Sequence, residues 1–238
     1  MKFIKKAGEP HEYNAWRKRV KGTQDEHYQI GLKNPLKARL HKALIEEQGF
    51  ICAYTMKRID AKNSHIEHIK PESLCRADCV GSDLDYWNML ACFPREGMSG
   101  KFMYGAQARH DWWDNDGAGF VKPLDRKCEK RFRFDLEGEI LSLKNDAPAK
   151  ETIEKLGLAH PTLTEDRKRV VIEYVYGENG TDPLSPAKAL QSIKNICDKD
   201  SNGMFHEFCV AIQHALAQHV CNLKKHAKKR KFARKKKS

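Results

Sequence analysis

Apolar residues recur at helical spacing over residues 35 to 48, where Leu36, Leu40 and Leu44 form one stripe. Asn34-Pro35 before this stripe and Gly49 after it are favourable helix ends. The pattern therefore predicts a helix from about 35 to 48. Similar stripes predict further helices near 150 to 156, 165 to 176, 186 to 198 and 204 to 225.

Two short runs with strand character follow the first helix. Residues 50 to 54 are apolar, a turn is indicated near residues 60 to 63, and residues 65 to 69 then alternate polar and apolar side chains. This order predicts a two-stranded ribbon. Side chains alternate along a strand, so Glu67 and His68 should point to opposite faces. The strand must bend, bulge or end there if both side chains serve one reaction.

The middle of the chain alternates loop and hairpin signals. Residues 93 to 116 are rich in Gly, Pro and charge and indicate a loop, with a short helix near 104 to 113. Residues 131 to 136 and 139 to 143 flank Glu137-Gly138, which predicts a β-hairpin.

The net charge of +12 is concentrated at one end of the 238-residue chain. Residues 224 to 238 hold ten Lys or Arg and no acid, which leaves 34 basic and 32 acidic residues elsewhere. A salt-dependent attraction to phosphate is therefore expected from this tail, which we expect to be disordered when it is alone. A solubility tether is the alternative reading of such a basic block.

Composition also bears on the compartment. The sequence has no run of about 18 apolar residues and no secretory leader, so neither a membrane span nor secretion is expected. Eight cysteines without regular spacing do not form a disulfide framework in a chain of this size. We expect a cytoplasmic protein with reduced thiols.

The segment Ser64-His65-Ile66-Glu67-His68-Ile69-Lys70-Pro71 carries the strongest chemical signal. Glu67 offers a hard oxygen ligand for a divalent cation, and His68 offers a base that can deprotonate water near neutral pH. Asn88, about twenty residues later, could hold that imidazole in one orientation. Glu-His pairs alone are common, and a surface strand is the alternative interpretation.

Motifs spread over about residues 1 to 175 make the pattern more specific. These motifs are Met1 to Lys6 with Trp16, Glu46 to Tyr54, His65 to Ser73, Tyr86 to Asn88, Pro123 to Asp125 with Cys128 to Phe132, Leu156 to Leu158, and His160-Pro161. In these segments the chain resembles the PtuB-like HNH proteins of Septu anti-phage systems, which also occur as retron-associated effectors.

The resemblance implies an α+β fold in which a ββα-metal core, the His-Me finger of HNH nucleases, is embedded in a mainly helical protein. We expect a nuclease-bearing body over residues 1 to 177, a C-terminal helical region over 178 to 223 and the basic tail over 224 to 238. In the family pattern, His68 is the general base, Glu67 binds Mg²⁺ or Mn²⁺, and Asn88 hydrogen-bonds the backbone or the ring to orient the imidazole.

The second metal ligand stays open. His110 is the nearest candidate by residue type, whereas the family pattern would align Gln107, a poorer ligand. We favour His110; the alternative is a weak ligand at Gln107 for which Asp111 or Asp114 compensates. His65 is a candidate third ligand or outer residue, and a hydrogen-bonded structural histidine is the alternative interpretation. Expected phosphate contacts are Lys70, Arg109, and the tail residues Lys228, Lys229, Arg230 and Lys231. For Lys70 and Arg109, a solvated surface charge is the alternative interpretation.

Cysteine usage departs from the family. Relatives often have Cys-Ala-Tyr-Cys where this chain has Cys52-Ala53-Tyr54-Thr55. Threonine cannot replace a thiolate in a tetrahedral site. Cys75, Cys79 and Cys92 give no second clean pair, so a structural zinc site is not expected.

The preferred function is a metal-dependent endonuclease that hydrolyses phosphodiester bonds in DNA or RNA as the effector of an antiviral complex. The resemblance implies a PtuA-like ABC-type ATPase partner and, in retron-linked versions, a reverse transcriptase with its RNA and DNA product. The alternative is a non-catalytic adaptor that binds nucleic acid. HNH chemistry acts on backbone phosphate, so the sequence does not choose between DNA and RNA.

Overall fold

The computed structural model describes residues 1 to 98 and 103 to 235, with eight α-helices and four β-strands in those ranges. The helices are α1 (His11–Val20), α2 (Leu36–Glu47), α3 (Glu72–Asp78), α4 (Ala106–Arg109), α5 (Ala147–Lys155), α6 (Pro161–Tyr176), α7 (Pro186–Asn195) and α8 (Cys209–Lys235). The strands are β1 (His65–His68), β2 (Met89–Cys92), β3 (Phe132–Phe134) and β4 (Ile140–Ser142). This is an α+β protein.

The strands form two small antiparallel sheets. β1 pairs with β2, with His65 opposite Cys92 and His68 opposite Met89. β3 pairs with β4 and confirms the hairpin predicted around Glu137-Gly138. In chain order, β1 and β2 are followed by the short helix α4.

The predicted ribbon between residues 50 to 54 and 65 to 69 is wrong, because the partner of β1 is β2. Residues 51 to 58 fold back on themselves, with a single bridge between Ile51 and Arg58. The buried side chain of Gln48 occupies the other edge of β2. Its amide donates to Ala91 O at 2.8 Å and accepts from Ala91 N at 2.7 Å, as a peptide group of a neighbouring strand would.

Helical periodicity located most of the helices. α2, α5, α6 and α7 lie where the stripes predicted them, with ends shifted by a few residues. The short helix expected near 104 to 113 is α4. α1 and α3 were not predicted, because each has few apolar positions; α3 buries Cys75 alone among its seven residues.

One apolar core joins both sheets to the helices, and its fully buried members include Tyr13, Leu44, Tyr54, Phe132 and Phe208. A buried arginine connects α6 to the hairpin side of this core. Arg167 is 1% exposed and donates from Nε to Gly138 O at 2.7 Å and from Nη2 to Leu158 O at 2.8 Å. Burial lowers the pKa of Arg167 to about 10.

The C-terminal segment differs from the expected disordered tail. α8 continues through residues 224 to 235 without a break. Lysine, arginine and alanine are good helix formers, and extension of an existing helix needs no new nucleus. Upstream, α8 packs against α6, α7 and β3. Within the ranges that the structure describes, no helix is both long enough and apolar enough to cross a membrane.

Candidate active site

The candidate base lies at the end of β1. His68 is the last residue of the strand and is 7% exposed. Its Nε2–H donates to Asp83 O at 2.8 Å, and the edge of the Tyr28 ring meets the imidazole at a centroid distance of 4.6 Å. Because Nε2 holds the proton, Nδ1 carries a lone pair. The structure gives Nδ1 no hydrogen-bond partner in the part of the chain that it describes.

The surroundings of His68 favour the neutral imidazole. Burial lowers the pKa of His68, and the hydrogen bond to the Asp83 carbonyl opposes that shift only in part. A neutral imidazole with one lone pair available is the form that can accept a proton. His68 borders a cleft together with Glu67, Glu72 and Arg109.

Glu67, next to the base, is held by three side chains. Arg109 donates from Nη1 to Glu67 Oε1 at 2.7 Å, and the Tyr54 hydroxyl approaches the same oxygen at 3.4 Å. The other oxygen, Oε2, lies 3.3 Å from His65 Nε2. The Glu67 side chain is 16% exposed and that of Arg109 is 1% exposed, so this is a largely buried ion pair.

His65 connects Glu67 to the loop after β2. Its Nδ1–H donates to Pro94 O at 2.6 Å, which leaves Nε2 facing Glu67. Burial disfavours the charged imidazole, but the hydrogen bond and the charge of Glu67 outweigh burial and raise the pKa of His65. The pair His65 Nε2 and Glu67 Oε2 therefore attracts a positive charge, either a proton or a metal ion.

Asn88 orients the chain around the base and does not contact its ring. Its Oδ1 accepts from Lys70 N at 2.7 Å and its Nδ2 donates to Lys70 O at 2.9 Å. In addition, Ile69 N donates to Asn88 O at 2.8 Å. Three hydrogen bonds thus fix the two residues that follow His68. Of the two arrangements expected for Asn88, the structure has the backbone one.

The two candidates for the second metal ligand lie on the short helix α4 and at its end. His110 is exposed, has a positive φ of 48° and borders the cleft that contains Glu67 and His68. Gln107 is also exposed but borders a neighbouring cleft with His65 and Glu96. His110 therefore lies in the same cleft as the proposed base, and Gln107 does not border it.

The structure does not gather Glu67, His65 and His110 around one point. Among the described residues, His27, Glu72 and Asp83 form a group that could hold a metal ion. Their ligand atoms lie within 4.8 Å of one another. Sequence reasoning missed this group, because its members come from three separate segments. The structure thus contains a possible His, Glu and Asp metal site beside the cleft.

The residues that were expected to contact phosphate have different environments in the structure. Arg109 is 2% exposed, and its Nη atoms donate to Glu67 and to the carbonyls of His68 and Ile69. Its contact with nucleic acid stays a prediction. Lys70 pairs with Asp78 through its ammonium group. Lys229 is exposed on α8. The side chains of Lys228, Arg230 and Lys231 lie outside the described residues.

Sequence comparison agrees with this chemistry at a coarse level. No protein-family model matches the chain. A protein of Vibrio cholerae serotype O1 biovar El Tor, named "Retron Vc95 putative HNH endonuclease", is 27% identical over 151 residues, which are 61% of this chain and 68% of that protein. This similarity supports the expectation of an HNH nuclease family in a retron context. It does not show the resemblance to PtuB-like proteins.

Proposed function

We propose that this protein is a metal-dependent HNH endonuclease that hydrolyses phosphodiester bonds of DNA or RNA. The observation that carries the proposal is the state of His68. Its Nε2–H is fixed by the Asp83 carbonyl, while the ring borders a cleft that it shares with Glu67. A buried, neutral imidazole held in one tautomer beside a carboxylate is suited to general-base catalysis.

In this mechanism, Nδ1 of His68 takes a proton from the water that attacks the scissile phosphorus. The P–O3′ bond breaks, and the departing oxygen receives a proton from solvent. The bond from Nε2–H to Asp83 O remains in place and strengthens as the ring becomes cationic. Asn88 keeps the chain after His68 in register through its two bonds to the Lys70 backbone.

The metal expected for such a nuclease has a partial ligand set here. Glu67 Oε2 and His65 Nε2 lie 3.3 Å apart, which fits two donors on one ion of the size of Mg²⁺ or Mn²⁺. Such ions commonly keep several waters, so two protein donors are sufficient. Bound there, the ion would neutralise the negative charge that develops on the phosphate oxygens. We propose His110, which borders the same cleft, as a third donor. Its side chain would have to move to reach the ion, because the structure does not gather it with Glu67 and His65.

The retron context of the similar protein motivates a cellular role. We propose a retron-linked antiviral complex of the Septu type, with a PtuA-like ATPase and a reverse transcriptase with its RNA and DNA product as partners. The C-terminal helices offer the surface for docking, and the basic residues of α8 offer attraction to phosphate. The motifs noted in the sequence support this role.

A second candidate function is a non-catalytic adaptor that binds nucleic acid in the same complex. It is favoured by the ion pair between Arg109 and Glu67, since the guanidinium already satisfies the carboxylate that an active enzyme would use for its metal. An adaptor does not need the base and should keep its protective function when His68 is replaced.

The test is a cleavage assay with single-stranded DNA, double-stranded DNA and total RNA in Mg²⁺ or Mn²⁺, with and without the ATPase partner. We expect His68→Ala to abolish cleavage, whereas His11→Ala, at an exposed position outside the cleft, should retain it. His110→Ala tests the third donor. If the wild-type protein binds nucleic acid but cleaves none under any condition, the adaptor function is correct.

A further inference from the structure

Three side chains from separate segments meet beside the base. His27 precedes the turn at residues 28 to 31, Glu72 is the first residue of α3, and Asp83 lies in the short turn Ser82–Leu84. One ligand atom from each lies within 4.8 Å of the other two. Glu72 also borders the cleft that contains Glu67 and His68.

Asp83 provides the observation that points to a ligand. It is 1% exposed, and its Oδ2 accepts from Tyr28 N at 2.9 Å. Its Oδ1 is buried and has no hydrogen-bond partner among the described residues. A buried carboxylate oxygen without a partner is costly, and such groups usually bind a cation or accept from an ordered water.

The imidazole of His27 lies next to this carboxylate. Its Nδ1 accepts from Gln29 N at 3.0 Å, so the ring proton is on Nε2. Nδ1 lies 3.7 Å from Asp83 Oδ2. Two acceptor atoms, each now bound to a backbone N–H, therefore lie close enough for one cation to bind both.

We propose that His27, Glu72 and Asp83 form a second divalent-cation site, separate from the ion expected at Glu67. One imidazole and two carboxylates are a ligand set for Zn²⁺ or Mn²⁺. With metal–ligand distances of about 2.1 Å, two ligands on one ion lie roughly 3 to 4 Å apart, which fits the 3.7 Å between His27 Nδ1 and Asp83 Oδ2. The ion takes the lone pair that now accepts from Gln29 N–H.

The site has a structural consequence for the base. The backbone carbonyl of Asp83 accepts the Nε2–H of His68, and Tyr28, adjacent to His27, packs its ring edge on the same imidazole. An ion that holds His27, Glu72 and Asp83 together therefore fixes both contacts of His68. Here the metal acts as a clamp that positions the base, and it does not need to contact the substrate.

The experiment measures metal binding in a protein whose other site is removed. In Glu67→Gln, Mn²⁺ titration followed by electron paramagnetic resonance, and zinc content after dialysis, should give one ion per chain. Adding Asp83→Asn or His27→Gln should lower the affinity for that ion by at least about 100-fold, because loss of a residue that only supports a ligand already lowers metal affinity by about 10- to 100-fold. Asp78→Asn, an exposed carboxylate on α3, is the matched control and should leave binding unchanged.

Each outcome decides the proposal. One ion in Glu67→Gln that is lost with His27→Gln supports it, and this variant changes a partly exposed ring, so it should fold. Slower amide hydrogen exchange over Ser82–Leu84 on addition of Zn²⁺, by about 10-fold, would support it independently. No ion in Glu67→Gln at millimolar Mn²⁺ or Zn²⁺, or an ion unaffected by both variants, overturns it. This readout does not depend on cleavage, so it is separate from the nuclease test.

Discussion

Replacement of Arg109 by methionine tests whether the ion pair with Glu67 holds the site together. The guanidinium donates to Glu67 Oε1 at 2.7 Å, to His68 O at 2.9 Å and to Ile69 O, and the side chain is 1% exposed. Methionine has similar length but no charge. The substitution therefore leaves a largely buried carboxylate and two carbonyls without their donor.

The expected loss of stability follows from the burial of this ion pair. Removal of one partner of a buried ion pair typically costs about 3 to 5 kcal/mol, because the remaining charge is not compensated. We expect Arg109→Met to lower the free energy of unfolding by about that amount, a large part of the 5 to 15 kcal/mol typical of a domain. Glu67→Gln in the Arg109→Met background should recover about 2 kcal/mol, since the unpaired charge is then absent.

Urea unfolding of the four proteins of this double-mutant cycle gives the coupling energy between the two side chains. Lys168→Met, which removes the partner of the exposed Glu137 in a surface ion pair, is the control and should cost far less than Arg109→Met. Mn²⁺ should stabilise Arg109→Met more than the wild type, because the ion replaces the guanidinium at Glu67. A loss below about 1 kcal/mol in Arg109→Met, or no coupling with Glu67, would refute this reasoning.

Three other predictions follow from single side chains. Gln48→Ala should cost about 2 to 4 kcal/mol, because Ala91 loses its buried partners; urea unfolding and faster amide exchange at Ala91 check it. Asn88→Ala should lower the cleavage rate constant with little change in KM, because it frees the Lys70 backbone beside the base; steady-state kinetics measure this. Burial lowers the pKa of His41 from 6.5 to about 4, so the folded protein binds fewer protons than the unfolded chain between these values. Stability should therefore fall as the pH decreases from about 6.5 to 4, and His41→Gln should flatten that decrease in thermal unfolding.

Patterns within one segment could be predicted from the sequence. The stripe from Leu36 to Leu44 located α2, and Glu137-Gly138 located the hairpin, because helix and turn preferences depend on nearby residues. The pairing of β1 with β2 could not be predicted in this way. Met89 to Cys92 is fully buried and lacks the alternation of a half-exposed strand, and its partner is more than twenty residues away.

The sequence suggests which residue types form the candidate site, but it says less about which side chains contact one another. Glu67 and His68 are the last two residues of β1, and both border one cleft. No local sequence pattern indicates that Arg109 points inward, because a lone arginine at the end of a short helix resembles a surface charge. Asp83 likewise lies in an ordinary Ser-Asp-Leu turn, and only tertiary packing brings its carboxylate to His27.

The amide of Gln48 also affects how this protein can associate with others. An exposed strand edge invites pairing with an extended segment of another chain. At Ala91 both backbone groups are already satisfied by one side chain from the end of α2. A partner therefore cannot add a strand at that point of β2, because the protein's own side chain already closes this edge.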